Sequence, residues 1–316
     1  MASLQIRAIK EVFVIPHSVP IEYRISVNGI ELVYFEWNRH ARGSGPSILL
    51  AHATGFHARC WDRIVDRLGD RHIIAVDQRG HGRSTSVEIE NWQVFGEDLA
   101  ELIGALELDS ILGVGHSMGG HAMVDAVARG PKPFVGLYLF DPVIGEPASY
   151  GGDLAGHFAM FSEGGHPTGR RRSRFESPSA MIERFTDRPP YCHFDSAVFR
   201  DYCEHGLKRV GEGVFELLCA PNLEASVYMT SRSNVGIFES VRAITVPVLI
   251  ARAKLPTPGL ETIDFSQSPT WPELVDVFGD AREIFLPEAT HFMPFEDPSA
   301  IASHIIEQIE HVSARG

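Results

Sequence analysis

A serine framed by glycines, Gly115-His116-Ser117-Met118-Gly119-Gly120, is the stretch of this sequence best suited to nucleophilic chemistry. The apolar run Ile111-Leu112-Gly113-Val114 leads into it and a helix-like stretch over 121–128 follows, so Ser117 stands where a strand turns sharply into a helix. Side chains flanking such a turn would clash, which accounts for Gly115 and Gly119. The turn presents Ser117 at a strand tip, with the first N–H groups of the helix directed at the space beside it. A serine hydroxyl is a weak nucleophile at neutral pH and needs an adjacent base. His291, in Ala289-Thr290-His291-Phe292-Met293-Pro294, is the candidate, because it follows the last apolar run and precedes the last helix. Loops at the strand ends on one edge of a parallel sheet converge on one crevice, which lets the two residues meet. An oxyanion formed in acyl transfer needs preorganised N–H donors. The N–H of Met118 is one; the second is expected from His52-Ala53-Thr54-Gly55-Phe56, with Thr54 taken as that donor and Gly55 as the alternative.

The elements that must position these residues follow from periodicity. Residues 12–15 and 21–27 alternate as strands do, Asn28-Gly29 signals a tight hairpin, and 30–37 returns. Near-continuous apolar runs at 48–51, 73–76, 111–114 and 137–140 are separated by helical stretches, which predicts a parallel sheet buried on both faces. Phe95, Leu99, Leu102, Ile103 and Leu106 form one helical stripe. From 144 to 242 the rhythm breaks, and the sequence predicts helices around 181–185, 197–208 and 223–231 with no strands between them. Strands resume at 247–251 and 283–286, and a helix closes the chain over 298–311. The expected organisation is an α/β core over 1–143 and 243–316, with a mainly helical cap inserted over 144–242. Arg170-Arg171-Arg172-Ser173-Arg174 is read as a solvated cap loop.

Composition bounds the function. The chain has 316 residues, 44% of them hydrophobic, enough for a large core and an insertion. A net charge of −13 disfavours nucleic acid as a partner. The partner expected is a small-molecule substrate; oligomeric state is not legible. The four cysteines form no Cys-x-x-Cys pair, and His116 and His121 do not share a helical face, so neither a metal nor a nucleotide cofactor is expected. The N-terminal residues lack the apolar core of a signal peptide and no run reaches membrane-spanning length, so a cytoplasmic protein is expected.

Taken together, His52 to Phe56, Asp77-Gln78-Arg79-Gly80-His81-Gly82-Arg83-Ser84, Gly115 to Gly120 and His291-Phe292-Met293-Pro294 resemble the α/β-hydrolase fold, in its serine hydrolase branch, over nearly the whole chain outside the cap. The resemblance implies Ser117 as nucleophile, His291 as general base, and the N–H groups of Met118 and the Thr54 region as oxyanion donors. It makes 77–84 a structural turn and gives Asp77, Arg79 and His81 no catalytic role. Two departures stand out. Ala53 occupies a position where glycine is usual. The loop after the strand at 247–251, where such proteins usually carry the triad acid, has none before Glu261 and Asp264. Some members supply the acid one strand earlier, which implies Asp141, with Glu261 or Asp264 as rivals. Glu224 is read as a surface glutamate of a cap helix, with a position facing the pocket as the alternative. The activity implied is hydrolysis of a carboxylic ester of small or medium apolar substrates through an acyl-serine. The alternatives are a lactonase, a β-diketone C–C hydrolase, or a hydrolase-fold ligand-binding protein.

Overall fold

Strand periodicity and burial together account for the apolar runs. In this computed structural model, which describes residues 19–129, 133–151, 165–256 and 266–315, alternate residues of each run enter opposite faces of one sheet, and both faces are covered. Leu49, Leu137, Leu139 and Ile250 join one cluster with Phe95, Leu99, Met123 and Val241. Ile48, Leu50, Tyr138 and Leu249 join the other with Trp61, Ile64, Ile301 and Ile305. Burying each such side chain contributes about 1.5–3 kcal/mol.

The strands of this sheet are β1 (Ile21–Val27), β2 (Ile30–Trp37), β3 (Ser47–Ala51), β4 (Ile73–Asp77), β5 (Ile111–His116) and β6 (Phe134–Phe140), then β10 (Val248–Arg252) and β11 (Ala281–Phe285). Their order is β1-β2-β4-β3-β5-β6-β10-β11, with β2 antiparallel to both its neighbours, β1 and β4, and every other neighbouring pair parallel. The Asn28-Gly29 turn joins the edge pair as expected, while residues 12–15 lie outside the described residues. The helices Gln93–Ala105, Met118–Arg129 and Ile237–Ala243 cover one face. Asp62–Val65 and the closing helix Pro298–Ser313 cover the other.

The segment between β6 and β10 differs from its sequence reading. Its helices Pro178–Phe185, Ser196–His205 and Pro221–Met229 stand near the expected places. Ser177 and Asp195 cap the first two by accepting backbone N–H bonds. However, β7 (Arg174–Phe175), β8 (Leu207–Gly211) and β9 (Val214–Leu217) form a small antiparallel sheet in the order β7-β9-β8. Lys208 therefore lies in a strand, not at a helix end. The strands escaped detection because β8 is exposed from Lys208 onward, so no apolar alternation marks it. Phe175, Met181, Phe194, Phe199 and Tyr202 pack with Phe56, Phe292 and Phe295 in a third, aromatic cluster above the strand ends.

Candidate active site

The parallel register brings the chemistry-bearing residues to one edge. His116 pairs with Phe140, and Ala251 also pairs with Phe140, so Ser117 and Asp141 leave neighbouring strands at the same level. The ladder continues through both, with Ser117 N donating to Phe140 O at 2.9 Å and Asp141 N to Ala251 O at 2.8 Å. Both then turn into the left-handed region, with φ of 57° at Ser117 and 41° at Asp141. The strained serine is stabilised locally by its carbonyl, which accepts from Gly120, His121 and Val143 N–H groups at 3.1–3.2 Å. The helix Met118–Arg129 starts so close to the sheet that a Cβ at Gly119 would strike the Ala51 carbonyl, and one at Gly115 the Gly119 carbonyl.

His291 completes a chain of hydrogen bonds. Its Nε2 lies 3.0 Å from Ser117 Oγ and its Nδ1 3.1 Å from Asp141 Oδ2. All three side chains are buried, Asp141 completely. With Nδ1–H donating to the carboxylate, Nε2 is left as the acceptor facing the serine hydroxyl. The histidine backbone is tied down as well: His291 N donates to Ser266 O at 2.9 Å, and His116 Nε2 donates to His291 O at 2.8 Å. Burial, aided by the neighbouring His291, drives the His116 imidazole well below its usual range, so it stays a neutral donor. Asp141 Oδ1 accepts from Ser268 Oγ at 2.6 Å and Ala253 N at 3.1 Å. The structure thus brings Ser117, His291 and Asp141 together; Glu261 and Asp264 lie outside the described residues.

Met118 opens the helix after the serine, and Thr54 and Gly55 form the turn after β3, where Phe56 N donates to Ala53 O at 3.2 Å. Among the described residues neither the Met118 nor the Thr54 N–H meets a protein acceptor. The turn is held from behind by the fully buried His52, whose Nδ1 donates to Ala53 O at 2.8 Å and whose Nε2 accepts from Gln78 N at 3.0 Å. Asp77 accepts from Ala58 and Arg83 N–H groups at 2.7 and 2.8 Å, and burial pushes its carboxyl up to about 6. His81 Nδ1 donates to Arg79 O within the same turn, and the Arg79 guanidinium is held by Asp98.

Two readings of the cap residues are corrected. Glu224 is buried, not a surface glutamate, and its carboxylate lies directly against Gly55. Arg171 is not part of a solvated loop: it pairs with Glu224 Oε2 at 2.6 Å and donates to Tyr202 OH at 2.9 Å. A buried carboxylate needs a cation beside it, which outweighs the solvation of an arginine-rich loop at this one position. Burial raises the Glu224 carboxyl, and Arg171 opposes that rise. Ser268 and the His116 contact escaped the sequence reading, since Ser266-Gln267-Ser268-Pro269-Thr270 carries no periodic or motif signal.

Among the described residues no cluster of three or more His, Cys, Asp or Glu side chains is arranged to hold a metal ion, and no helix is long and apolar enough to cross a membrane.

The sequence model of the Alpha/beta hydrolase family matches residues 48–304. A 2-(acetamidomethylene)succinate hydrolase of Mesorhizobium japonicum is 35% identical over 239 residues, covering 74% of this chain and 78% of that protein. A monoacylglycerol lipase of Mycolicibacterium smegmatis is 31% identical over 126 residues, 37% of this chain and 45% of that one. Among solved structures, an E-2-(acetamidomethylene)succinate hydrolase superposes with a TM-score of 0.69 at 25% identity, covering 92% of this chain and 99% of the other.

Proposed function

The chain belongs to the alpha/beta hydrolase family, and we propose that within it this protein is a serine hydrolase of carboxylic esters, working through an acyl-serine. The observation that carries the reading is the continuous hydrogen-bonded chain Ser117 Oγ–His291 Nε2 and His291 Nδ1–Asp141 Oδ2, at 3.0 and 3.1 Å. In this reading Ser117 Oγ attacks the carbonyl carbon while its proton passes to His291 Nε2. The carbonyl electron pair moves to oxygen, where the N–H groups of Met118 and Thr54 stabilise the oxyanion. Collapse breaks the bond to the alcohol oxygen, which takes the proton from His291. Water then adds to the acyl carbon, again losing its proton to His291, and the acid leaves with Ser117 restored. Asp141 holds the imidazole tautomer and stabilises the imidazolium. Within residues 144–242 the helices Pro178–Phe185 and Ser196–His205 and the small sheet β7-β9-β8 act as the cap, and the aromatic cluster around Phe56, Phe194 and Phe292 favours an apolar acyl or alcohol group.

A second reading draws on the Mesorhizobium relative, whose name gives an acylamino dicarboxylate as its substrate. The same acyl-serine chemistry would then break a bond of a carboxylate-bearing substrate. One panel separates the two: p-nitrophenyl esters from acetate to long chain, a set of lactones, and 2-(acetamidomethylene)succinate, each with the native protein and Ser117→Ala. The proposal expects ester turnover that drops at least about a thousandfold in Ser117→Ala. Turnover of the dicarboxylate alone would move the assignment to the second reading. Ester turnover unchanged by the substitution, or none of any substrate, would overturn the acyl-serine reading.

A further inference from the structure

We propose that Ser268 is a positioning residue for the acid of the site, acting through Asp141; this rests on the reading of Asp141 above. Asp141 is fully buried and its backbone is strained, so its carboxylate is correctly aimed only if something fixes its second oxygen. Ser268 does so. Its hydroxyl donates to Asp141 Oδ1 at 2.6 Å, shares that oxygen with Ala253 N, and leaves Oδ2 to His291. Ser268 is itself buried and fixed on both sides. Its N–H donates to Lys254 O at 2.8 Å, and its Oγ accepts from Thr270 N at 3.2 Å. That second bond directs the hydroxyl proton toward the carboxylate.

The neighbouring backbone serves the same geometry. Thr270 Oγ1 donates to Pro142 O at 2.8 Å, next to Asp141, and Ser266 O accepts from His291 N at 2.9 Å. One short segment, 266–270, therefore grips both the acid and the histidine. It lies in the connection after β10, the loop in which the family resemblance places the acid itself. Here that loop supplies the hydroxyl that holds an acid donated by β6.

The test is a double-mutant cycle on Ser268→Ala and Asp141→Asn. It reads kcat and KM on a p-nitrophenyl ester and the rate constant for labelling Ser117 with a fluorophosphonate. Rates are expressed per labelled site from intact mass, so partial unfolding does not enter. Ser268→Ala is expected to lower kcat and the labelling rate roughly ten- to a hundredfold, the scale of one hydrogen bond to a buried charge. KM should stay within about twofold. Because Ser268 acts through Asp141, the double variant should be no slower than Asp141→Asn alone. Losses that multiply, or a Ser268→Ala protein as fast as the native one while Asp141→Asn is slow, would overturn the role of Ser268. An Asp141→Asn protein at native rate would instead overturn the reading of Asp141 as the acid.

Discussion

Replacing Gly55 by alanine should disturb the protein through Glu224, and the size of the effect follows from the geometry. Gly55 has φ +80°, and a Cβ there would stand 2.5 Å from Glu224 Oε1 and 2.9 Å from its Cδ. The left-handed conformation alone costs an alanine about 1–2 kcal/mol. The carboxylate must also move, and it is held by Arg171, whose side chain is 24% exposed. Breaking a fully buried pair costs about 3–5 kcal/mol; with Arg171 partly exposed, about 2–3 kcal/mol is expected here. Gly55→Ala should therefore destabilise by about 4 kcal/mol and Glu224→Ala by about 3 kcal/mol. Once Glu224 is gone, only the backbone strain remains, so the double variant should lose about 4–5 kcal/mol rather than 7. Urea unfolding followed by tryptophan fluorescence measures all four corners of the cycle. Effects that add to within about 0.5 kcal/mol would refute the contact between cap and turn.

The remaining predictions concern the buried histidines. His116→Phe keeps a ring against Phe295 but removes the donor to the His291 carbonyl. It should lower kcat about tenfold with a near-native melting curve, whereas an unchanged kcat would show that the contact does not position His291. Acid should destabilise the fold. Burial pushes His81 and His121 down to about 4 and His57 to about 3, and drives His52 and His116 well down. Below about pH 6.5 the unfolded chain takes up protons that these native histidines refuse, so stability is lost as pH falls toward 4. Asp62 and Asp77, pushed up to about 6 by burial, work in the opposite sense, because the native state keeps protons that unfolded carboxylates have released. Burial also lowers His166 and His205 to about 4 and raises the Asp98 and Glu224 carboxyls, so seven lowered histidines stand against four raised carboxyls, and the thermal midpoint at pH 5 should lie below that at pH 7.5; an equal or higher midpoint would contradict the burial of neutral histidines.

Most of the fold was legible because strands buried on both faces write themselves as unbroken apolar runs, as at Ile48–Ala51 and Leu137–Phe140. The serine was legible because a tight strand-to-helix approach demands glycine at 115 and 119 whatever the rest of the chain does. Asp141 is harder to read from sequence, because its place beside Ser117 depends on register: β6 lies beside β5 and ends at the same level. Glu224 and Arg171 were misread because a charged residue in a polar stretch normally faces water; only the third dimension shows that each compensates the other. Ser268 left no trace at all, because one hydroxyl in an irregular loop has no period.

The measurement that bears most directly on the account is rapid-quench mass spectrometry of the protein mixed with a p-nitrophenyl ester. One acyl group per chain is expected, on the peptide carrying Ser117, formed and discharged at rates compatible with turnover. His291→Ala should slow its formation by about a thousandfold or more. Turnover of the ester with no acyl adduct at Ser117, or an adduct on another residue, would contradict the acyl-serine reading.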